Sequence, residues 1–200
     1  MFIQVLEGTT SDANGLHERI ASWERDLQPG AIGYLGSTGG CTAAGDCIMV
    51  VRFESREAAE RNSARPEQTA WWEETAKLFE GPVTFHDTED VQVMTHGDLD
   101  EAHFVQVMEG HVSDHDRALA LEHDADPMLA ELRPELLGAV MATYDEDGFT
   151  QVAYFTSEEE ARMGEAREMP ADAASLMAEW EQALKVDRYL DITEPWLASA

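Results

Sequence analysis

Lysine is nearly missing from this chain. Lys77 and Lys185 are the only two, all Lys and Arg residues number 13 against 41 acids, and the formal net charge is −28. Such a surface repels phosphate backbones and anionic lipid, which argues against nucleic acid or membrane surfaces as partners. The plainest account is a solvated acidic coat suited to high salt or high solubility. Self-repulsion then predicts a fold that weakens at low ionic strength. No stretch is apolar for long enough to span a bilayer. The chain opens on a strand pattern, Met1 to Leu6, rather than a basic region, so neither a transmembrane helix nor a signal peptide is expected. Cysteine is scarce as well. Cys41 and Cys47 make no secreted disulfide framework and are too far apart for a CxxC site. They stand near enough to meet across a hairpin, but reduced thiols in a cytoplasmic protein are the expectation. No phosphate-binding glycine loop is present, because Gly36-Ser-Thr-Gly-Gly40 falls inside a hairpin rather than between strand and helix. No Ser-His-Asp order and no low-complexity segment can be discerned.

What the chain does have is a repeat. Phe2-Ile-Gln-Val-Leu-Glu-Gly8 returns as Phe104-Val-Gln-Val-Met-Glu-Gly110, with five of seven positions identical at an offset of 102. Ser11-Asp12 matches Ser113-Asp114, and Phe53-Glu-Ser matches Phe155-Thr-Ser, at the same offset. Leu27-Gln-Pro-Gly-Ala-Ile-Gly33 matches Leu132 to Gly138 at offset 105. This implies a longer first helix and a shorter hairpin in the second copy. Pro66 pairs with Pro170, and Phe85-His-Asp87 with Tyr189-Leu-Asp191, at offset 104. A period this long is a domain duplication rather than a solenoid. A hydrophobic fraction of 44% supplies enough apolar surface for two cores.

Each copy has the same order of elements. Residues 2–8 alternate as a strand does. Leu16, Ile20, Trp23 and Leu27 fall on one helical face, and Pro29-Gly30 ends that helix. Residues 31–38 and 47–53 form a hairpin about a turn at 39–46. Ser55 caps a short helix, Pro66 opens another, and 83–88 is a last strand. In the second copy Ser113 is the expected cap of the first helix. The order β-α-β-β-α-β is the ferredoxin-like motif. Strands apolar on both faces call for a second layer. The expected fold is therefore α+β: two ferredoxin-like units with antiparallel sheets face to face, a pseudo-dimeric barrel. The repeats are placed at 1–94 and 104–200, joined by a polar linker at 95–103. Val91 to Met94 is free to pair across to the other half.

This pattern resembles the dimeric α+β barrel superfamily, in particular its antibiotic-biosynthesis-monooxygenase-like branch, as a tandem duplication. The strands Phe2–Gly8 and Phe104–Gly110, the Phe53-Glu-Ser and Phe155-Thr-Ser junctions, and the tryptophan-bearing segment Pro66–Phe79 carry the resemblance. It covers nearly the whole chain. The superfamily includes cofactor-independent oxygenases of aromatic polyketides, haem-degrading enzymes and small-molecule isomerases, so the fold does not choose a chemistry. The resemblance implies a pocket between the sheet and helices of each half. Haem-degrading relatives place an asparagine on the first strand and a tryptophan and histidine on the second helix. Here Gln4 occupies that strand, Trp71 or Trp72 fits the tryptophan, and no histidine lies between Ser55 and Phe79. Polyketide-oxygenase relatives use an asparagine, a tryptophan, a tyrosine and an arginine, which Asn62, Trp71/Trp72, Tyr34 and Arg52 would supply.

Each candidate has a plainer competitor. Gln4 recurs as Gln106, which suits a structural amide kept by both copies. A tryptophan on a helix is most often core packing, although adjacent rings at 71 and 72 do not fit one narrow stripe. His86 stands where the second copy has Leu190, and its unperturbed pKa near 6.5 suits a general base; the competitor is a satisfied or half-exposed histidine. His17 is a second such candidate. Asn62 suits a helix C-cap as well as a ligand contact. His111 and His115 straddle the start of a helix and do not share a face as metal ligands must. The expectation is an enzyme of monooxygenase type acting on a small apolar or aromatic molecule, without cofactor or metal, its pocket in the N-terminal half. His86 and Asn62 would be catalytic, with Gln4, Trp71, Trp72, Tyr34, Arg52 and His17 binding the substrate. A non-catalytic binder of haem or another flat ligand, and a structural protein with no working site, are the alternatives. A fused pair has no need to dimerise, so a monomer is expected.

Overall fold

A computed structural model describes all 200 residues, Met1–Ala200. In chain order the elements are β1 (Phe2–Thr9), α1 (Ala13–Asp26), β2 (Tyr34–Cys41), β3 (Asp46–Phe53), α2 (Arg56–Ser63), α3 (Pro66–Thr75), β4 (Thr84–Thr88) and β5 (Val91–Thr95). Then come β6 (Phe104–Val112), α4 (His115–Leu132), β7 (Leu136–Tyr144), β8 (Gly148–Phe155), α5 (Glu158–Glu165), α6 (Ala171–Ala183), β9 (Leu184–Ile192) and β10 (Trp196–Ser199). Two ferredoxin-like β-α-β-β-α-β units therefore follow one another. Each is extended by a short fifth strand that the other repeat supplies. One antiparallel sheet runs β10-β2-β3-β1-β4 and the other β5-β7-β8-β6-β9. The compact units are accordingly Met1–Glu89 with Glu194–Ala200, and Asp90–Thr193. They differ from the sequence repeats by the exchanged strands. Val91–Thr95 does pair away from its own repeat, on β7. Its counterpart at the C-terminus, Trp196–Ser199 on β2, had no forewarning in the reading of the sequence.

Local chemistry explains the element ends. Asp12 caps α1 by accepting from the Gly15 amide, and Ser55 caps α2 by accepting from the Ala58 amide. Ser157 repeats the second of these at α5. In α4 the cap is Asp114 rather than Ser113. The Ser113 hydroxyl instead donates to the carbonyls of Gln182 and Ala183, fastening the helix start to the end of α6. Leu16, Ile20 and Trp23 bury the inner stripe of α1. In unit 1 Trp23 packs with Phe2, Tyr34, Phe53 and Ala59, and Leu27 and Trp71 pack against that cluster. In unit 2, Phe104, Leu136, Phe155 and Ala161 form one cluster and Val112, Leu121, Phe149 and Leu184 another. Each of the large side chains so buried contributes about 1.5–3 kcal/mol.

Two expectations need correcting. The hairpins of the two repeats are equal in length. Gly36 pairs with Arg52 and Gly138 with Tyr154, sixteen residues apart in each, and both glycines sit at a β-bulge. The true equivalent of Gly138 is thus Gly36, not Gly33. Their φ values of +148° and +157° are ones that side-chain-bearing residues rarely adopt. The extra turn of α4 is offset in the connection before the strand, not in the hairpin. The second correction concerns the thiols. Cys41 and Cys47 are directly opposed in the β2–β3 ladder with Cα atoms 4.0 Å apart, and they are joined in a disulfide. Close opposition across two strands brings the sulfur atoms together. No helix is long and apolar enough to cross a membrane.

Candidate functional site

Side chains alternate across a strand, so the register of unit 1 decides what each candidate can face. Gln4 lies opposite Val51 and Asp87, and Leu6 opposite Met49 and Phe85. These residues share the face covered by α1, α2 and α3. A cavity of about 270 Å³ lies there. Its sheet side carries Gln4, Leu6, Ser37, Met49, Val51 and Phe85, and its helical side Leu16, Ile20, Trp23, Asn62, Gln68, Trp71 and Trp72, with Phe79 beside them. Phe85, 44% exposed, stands at the rim, with the Trp72 ring edge-on to it at 5.4 Å.

The sequence candidates divide cleanly. Gln4, Tyr34, Asn62, Trp71 and Trp72 line this cavity; His86, Arg52 and His17 do not. His86 pairs with Val5 on the opposite face of the sheet, with its Nε2 3.7 Å from the Glu7 carboxylate. Arg52 pairs with Ile3 on that same opposite face, and its Nη2 lies where a side chain on Gly36 would begin. The Arg52 Nε is buried without a hydrogen-bond partner. His17 is exposed on α1 and stacks flat on Trp196 at 4.9 Å. The placement of His86 as base, and of Arg52 and His17 as ligand contacts, is therefore withdrawn for this cavity. Both adjacent tryptophans line the cavity and both are half-buried, and Trp71 also packs against the core cluster of unit 1.

Several polar groups in the wall are already spoken for. Gln4 donates through Nε2 to Asp87 at 2.9 Å, and Gln106 does the same to Asp191 at 3.0 Å. The plainer reading of the paired glutamines thus has a specific form, a cross-strand amide–carboxylate bond. Asn62 is buried inside α2 rather than capping it; Ala64 is the cap. Its Oδ1 accepts from the Ile32 amide at 3.1 Å and from Arg65 Nη1 at 3.0 Å. In unit 2 the position equivalent to Asn62 is Gly164. There Arg167 meets the buried Glu135, whose Oε1 occupies the space a Gly164 side chain would need. The amide of Asn62 is a staple that the second repeat builds from a carboxylate. Only its Nδ2 is left for the cavity.

Sequence reasoning missed Gln68 and Trp23. The Trp23 Nε1 donates to Gln68 Oε1 at 2.6 Å, which fixes the amide so that Gln68 Nε2 remains a donor. Trp71 is held in the same manner, its Nε1 donating to the Arg19 carbonyl at 3.1 Å while the Arg19 guanidinium lies 5.7 Å from the ring. Tyr34 and Ser37 share a hydroxyl–hydroxyl bond of 2.9 Å. The result is an aromatic slot with amide and hydroxyl groups in its wall. No Asp, Glu, His, Lys or Arg lines it. Such a wall suits a flat, uncharged molecule bearing a few oxygen atoms. The histidines considered as metal ligands are elsewhere and apart, His111 between Asp147 and Asp187 and His115 on Asp90.

No protein-family model and no curated protein sequence matches the chain. Solved structures do. A proposed monooxygenase from Lactobacillus acidophilus NCFM aligns with a TM-score of 0.70 at 13% identity, over 99% of this chain and 95% of its own. Another from Fusobacterium nucleatum gives 0.75 at 8% identity, over 99% and 94%. An anthrone oxidase-like protein gives 0.69 at 11% identity, over 100% and 93%. Likeness at these identities shows the fold. It is that of two ferredoxin-like α+β units in tandem, shared along the full chain with proteins of monooxygenase-like description.

Proposed function

We propose that this protein is an oxygenase of small, flat, hydroxylated aromatic molecules, with its working site in the unit 1 cavity. The observation that carries this reading is the combination of an aromatic slot with uncommitted amide donors and no carboxylate, histidine, lysine or arginine in its lining. The fold that the chain shares with monooxygenase-like proteins, one of them anthrone oxidase-like, is consistent with it but does not by itself supply an activity.

Without a side-chain base in the wall, the substrate's own acidity must supply the electron-rich anion. An anthrone-type substrate loses its proton to water and its oxygen takes hydrogen bonds from Asn62 Nδ2 and Gln68 Nε2. Those donors, set in a water-poor slot, favour the anion most where charge develops. Trp72 and Phe85 hold the ring plane, which converts an encounter into an oriented complex. Dioxygen then reacts with the carbanion carbon. One oxygen atom stays on the substrate as a ketone, the other leaves as water, and the substrate gives up two hydrogens, so no external reductant is consumed. The roles given earlier to His86, Arg52 and His17 fall to these neutral groups. Tyr34 and Gln4 remain wall residues that set the shape of the slot.

The same lack of a carboxylate, histidine, lysine or arginine favours one second reading, a carrier that binds a flat apolar molecule without converting it. Haem is a poor fit to that role because no histidine lines the slot. Oxygen uptake with a tricyclic hydroxylated aromatic separates the two readings. The oxygenase consumes one equivalent of dioxygen per substrate, and Trp72→Ala lowers the rate at least tenfold. Binding without oxygen uptake leaves the carrier, and unchanged turnover in Trp72→Ala removes the site. Light scattering is expected to show a monomer.

A further inference from the structure

One row of residues runs across the unit 1 sheet beneath the helices. Trp196, Gly39, Met49, Leu6 and Phe85 stand opposite one another on β10, β2, β3, β1 and β4. Side chains in such a row share a face, and Met49, Leu6 and Phe85 line the slot. Four members of the row are large, and Gly39 is the gap between them. The gap is filled from the side. A Cβ on Gly39 would collide with the Met49 Sδ and stand 3.0 Å from its Cγ. The thioether of Met49 therefore lies over the glycine.

Backbone conformation does not explain this glycine. Gly36 and Gly40 of the same strand have φ values of +148° and +156°, which side-chain-bearing residues rarely adopt, but Gly39 has no positive φ. Unit 2 shows the row without a gap. There it reads Gln92, Met141, Gln151, Met108 and Tyr189. Met141, in the place of Gly39, is 3% exposed and packs with Leu121, Phe149 and Leu184. A side chain at this position is thus compatible with the fold, and its absence in unit 1 is what leaves a seat for Met49.

We propose that Gly39 and Met49 together set how large a ring system the unit 1 slot accepts. The glycine is the notch that seats the thioether, and the seated thioether leaves room that a side chain at residue 39 would remove. This rests on the reading of the slot as a site for flat aromatic molecules. Met49 lines the slot and Gly39 does not, so the glycine is a positioning residue that acts through Met49. An unbranched thioether with three rotatable bonds suits a wall whose shape is set by its seat. With a Cβ at residue 39 the sulfur must leave the notch. Leu6 already fills the other side of the row, so the sulfur turns up into the slot and takes the space of a ligand ring.

The test is a set of titrations, read by tryptophan fluorescence, with hydroxylated aromatics of one, two, three and four fused rings. Gly39→Ala is expected to weaken the three-ring ligand at least tenfold and to leave the one-ring ligand within twofold. Met49→Ala, which leaves the backbone untouched, is expected to strengthen the four-ring ligand at least tenfold. The double variant Gly39→Ala/Met49→Ala recovers the three-ring ligand, because no thioether is left to displace. The Ile48 carbonyl stands 2.9 Å from the added Cβ and must shift slightly, so urea unfolding checks that each variant is folded. If Gly39→Ala does not fold, Met49→Ala decides alone. Equal weakening of every ligand in Gly39→Ala, no recovery in the double variant, or no gain for the four-ring ligand in Met49→Ala overturns the proposal. A wild-type protein that binds none of these ligands overturns the aromatic-site reading instead. The crystal structure of Gly39→Ala then tests the notch by itself: a thioether turned into the slot upholds it, and a thioether directed anywhere else overturns it.

Discussion

Replacing Asn62 in two ways separates the stability of unit 1 from its ligand chemistry. The buried Oδ1 receives one backbone N–H, from Ile32, and one guanidinium N–H, from Arg65. A neutral hydrogen bond is worth about 0.5–1.5 kcal/mol and one to a charged group about 1.5–3 kcal/mol. Arg65 keeps its contacts to the Leu27 carbonyl and Glu67, which moderates the loss. Asn62→Ala should therefore cost about 2–3 kcal/mol, read as a lower denaturation midpoint at unchanged slope. Asn62→Asp keeps both acceptor contacts and adds an ion pair with Arg65. Its stability should lie within about 1 kcal/mol of wild type, because burying the carboxylate offsets the gain. The same variant turns the cavity-facing donor into an acceptor, so affinity for a hydroxylated aromatic anion should fall at least tenfold, about 1.4 kcal/mol. Urea unfolding by circular dichroism and ligand titration of the same samples read both. An Asn62→Ala protein as stable as wild type refutes the staple, and an Asn62→Asp protein that binds normally refutes the donor.

Three further outcomes are expected. Lowering the salt from about 1 M to about 0.01 M lengthens the screening distance from about 3 Å to about 30 Å, so a chain of charge −28 should melt at a markedly lower temperature; an unchanged or higher melting temperature contradicts the self-repulsion argument. Alkylation of the unfolded, unreduced protein should label neither Cys41 nor Cys47, and labelling of both would show that the pair is reduced where the protein resides. His86→Ala, on the sheet face away from the slot, should leave ligand affinity within twofold, and a tenfold loss would return that histidine to the site.

The fold was largely legible because both copies keep the residues that define it. Phe2–Gly8 and Phe104–Gly110 announce the central strands, and Ser55 and Ser157 announce the caps. The failures have physical causes. Matching Pro29 with Pro134 and Gly33 with Gly138 favoured a gapped alignment, when the glycine that matters is the one each bulge requires. Trp196–Ser199 is too short to announce itself as a strand; only the precedent of Val91–Thr95 in the first repeat could have suggested it. His86 stands out because the second copy has Leu190 in its place, but cross-strand register puts Asp87, not His86, on the face of Gln4. His17 neighbours the buried Leu16 in sequence and yet points away, since one residue turns a helix by about 100°. Gln68 looks like any solvated helix residue until Trp23 is seen donating to it. Where a helix and a sheet leave room between them is a property of their packing, and no periodicity in the sequence reports it.

Fluorescence tests most directly whether the unit 1 slot takes a flat aromatic ligand. Trp23, Trp71 and Trp72 all line it, so their fluorescence should be quenched by a bound tricyclic hydroxylated aromatic. Saturable quenching at one equivalent is expected, weakened at least tenfold in Trp72→Ala and retained in His86→Ala. Quenching that never saturates, or that is indifferent to Trp72, would contradict it.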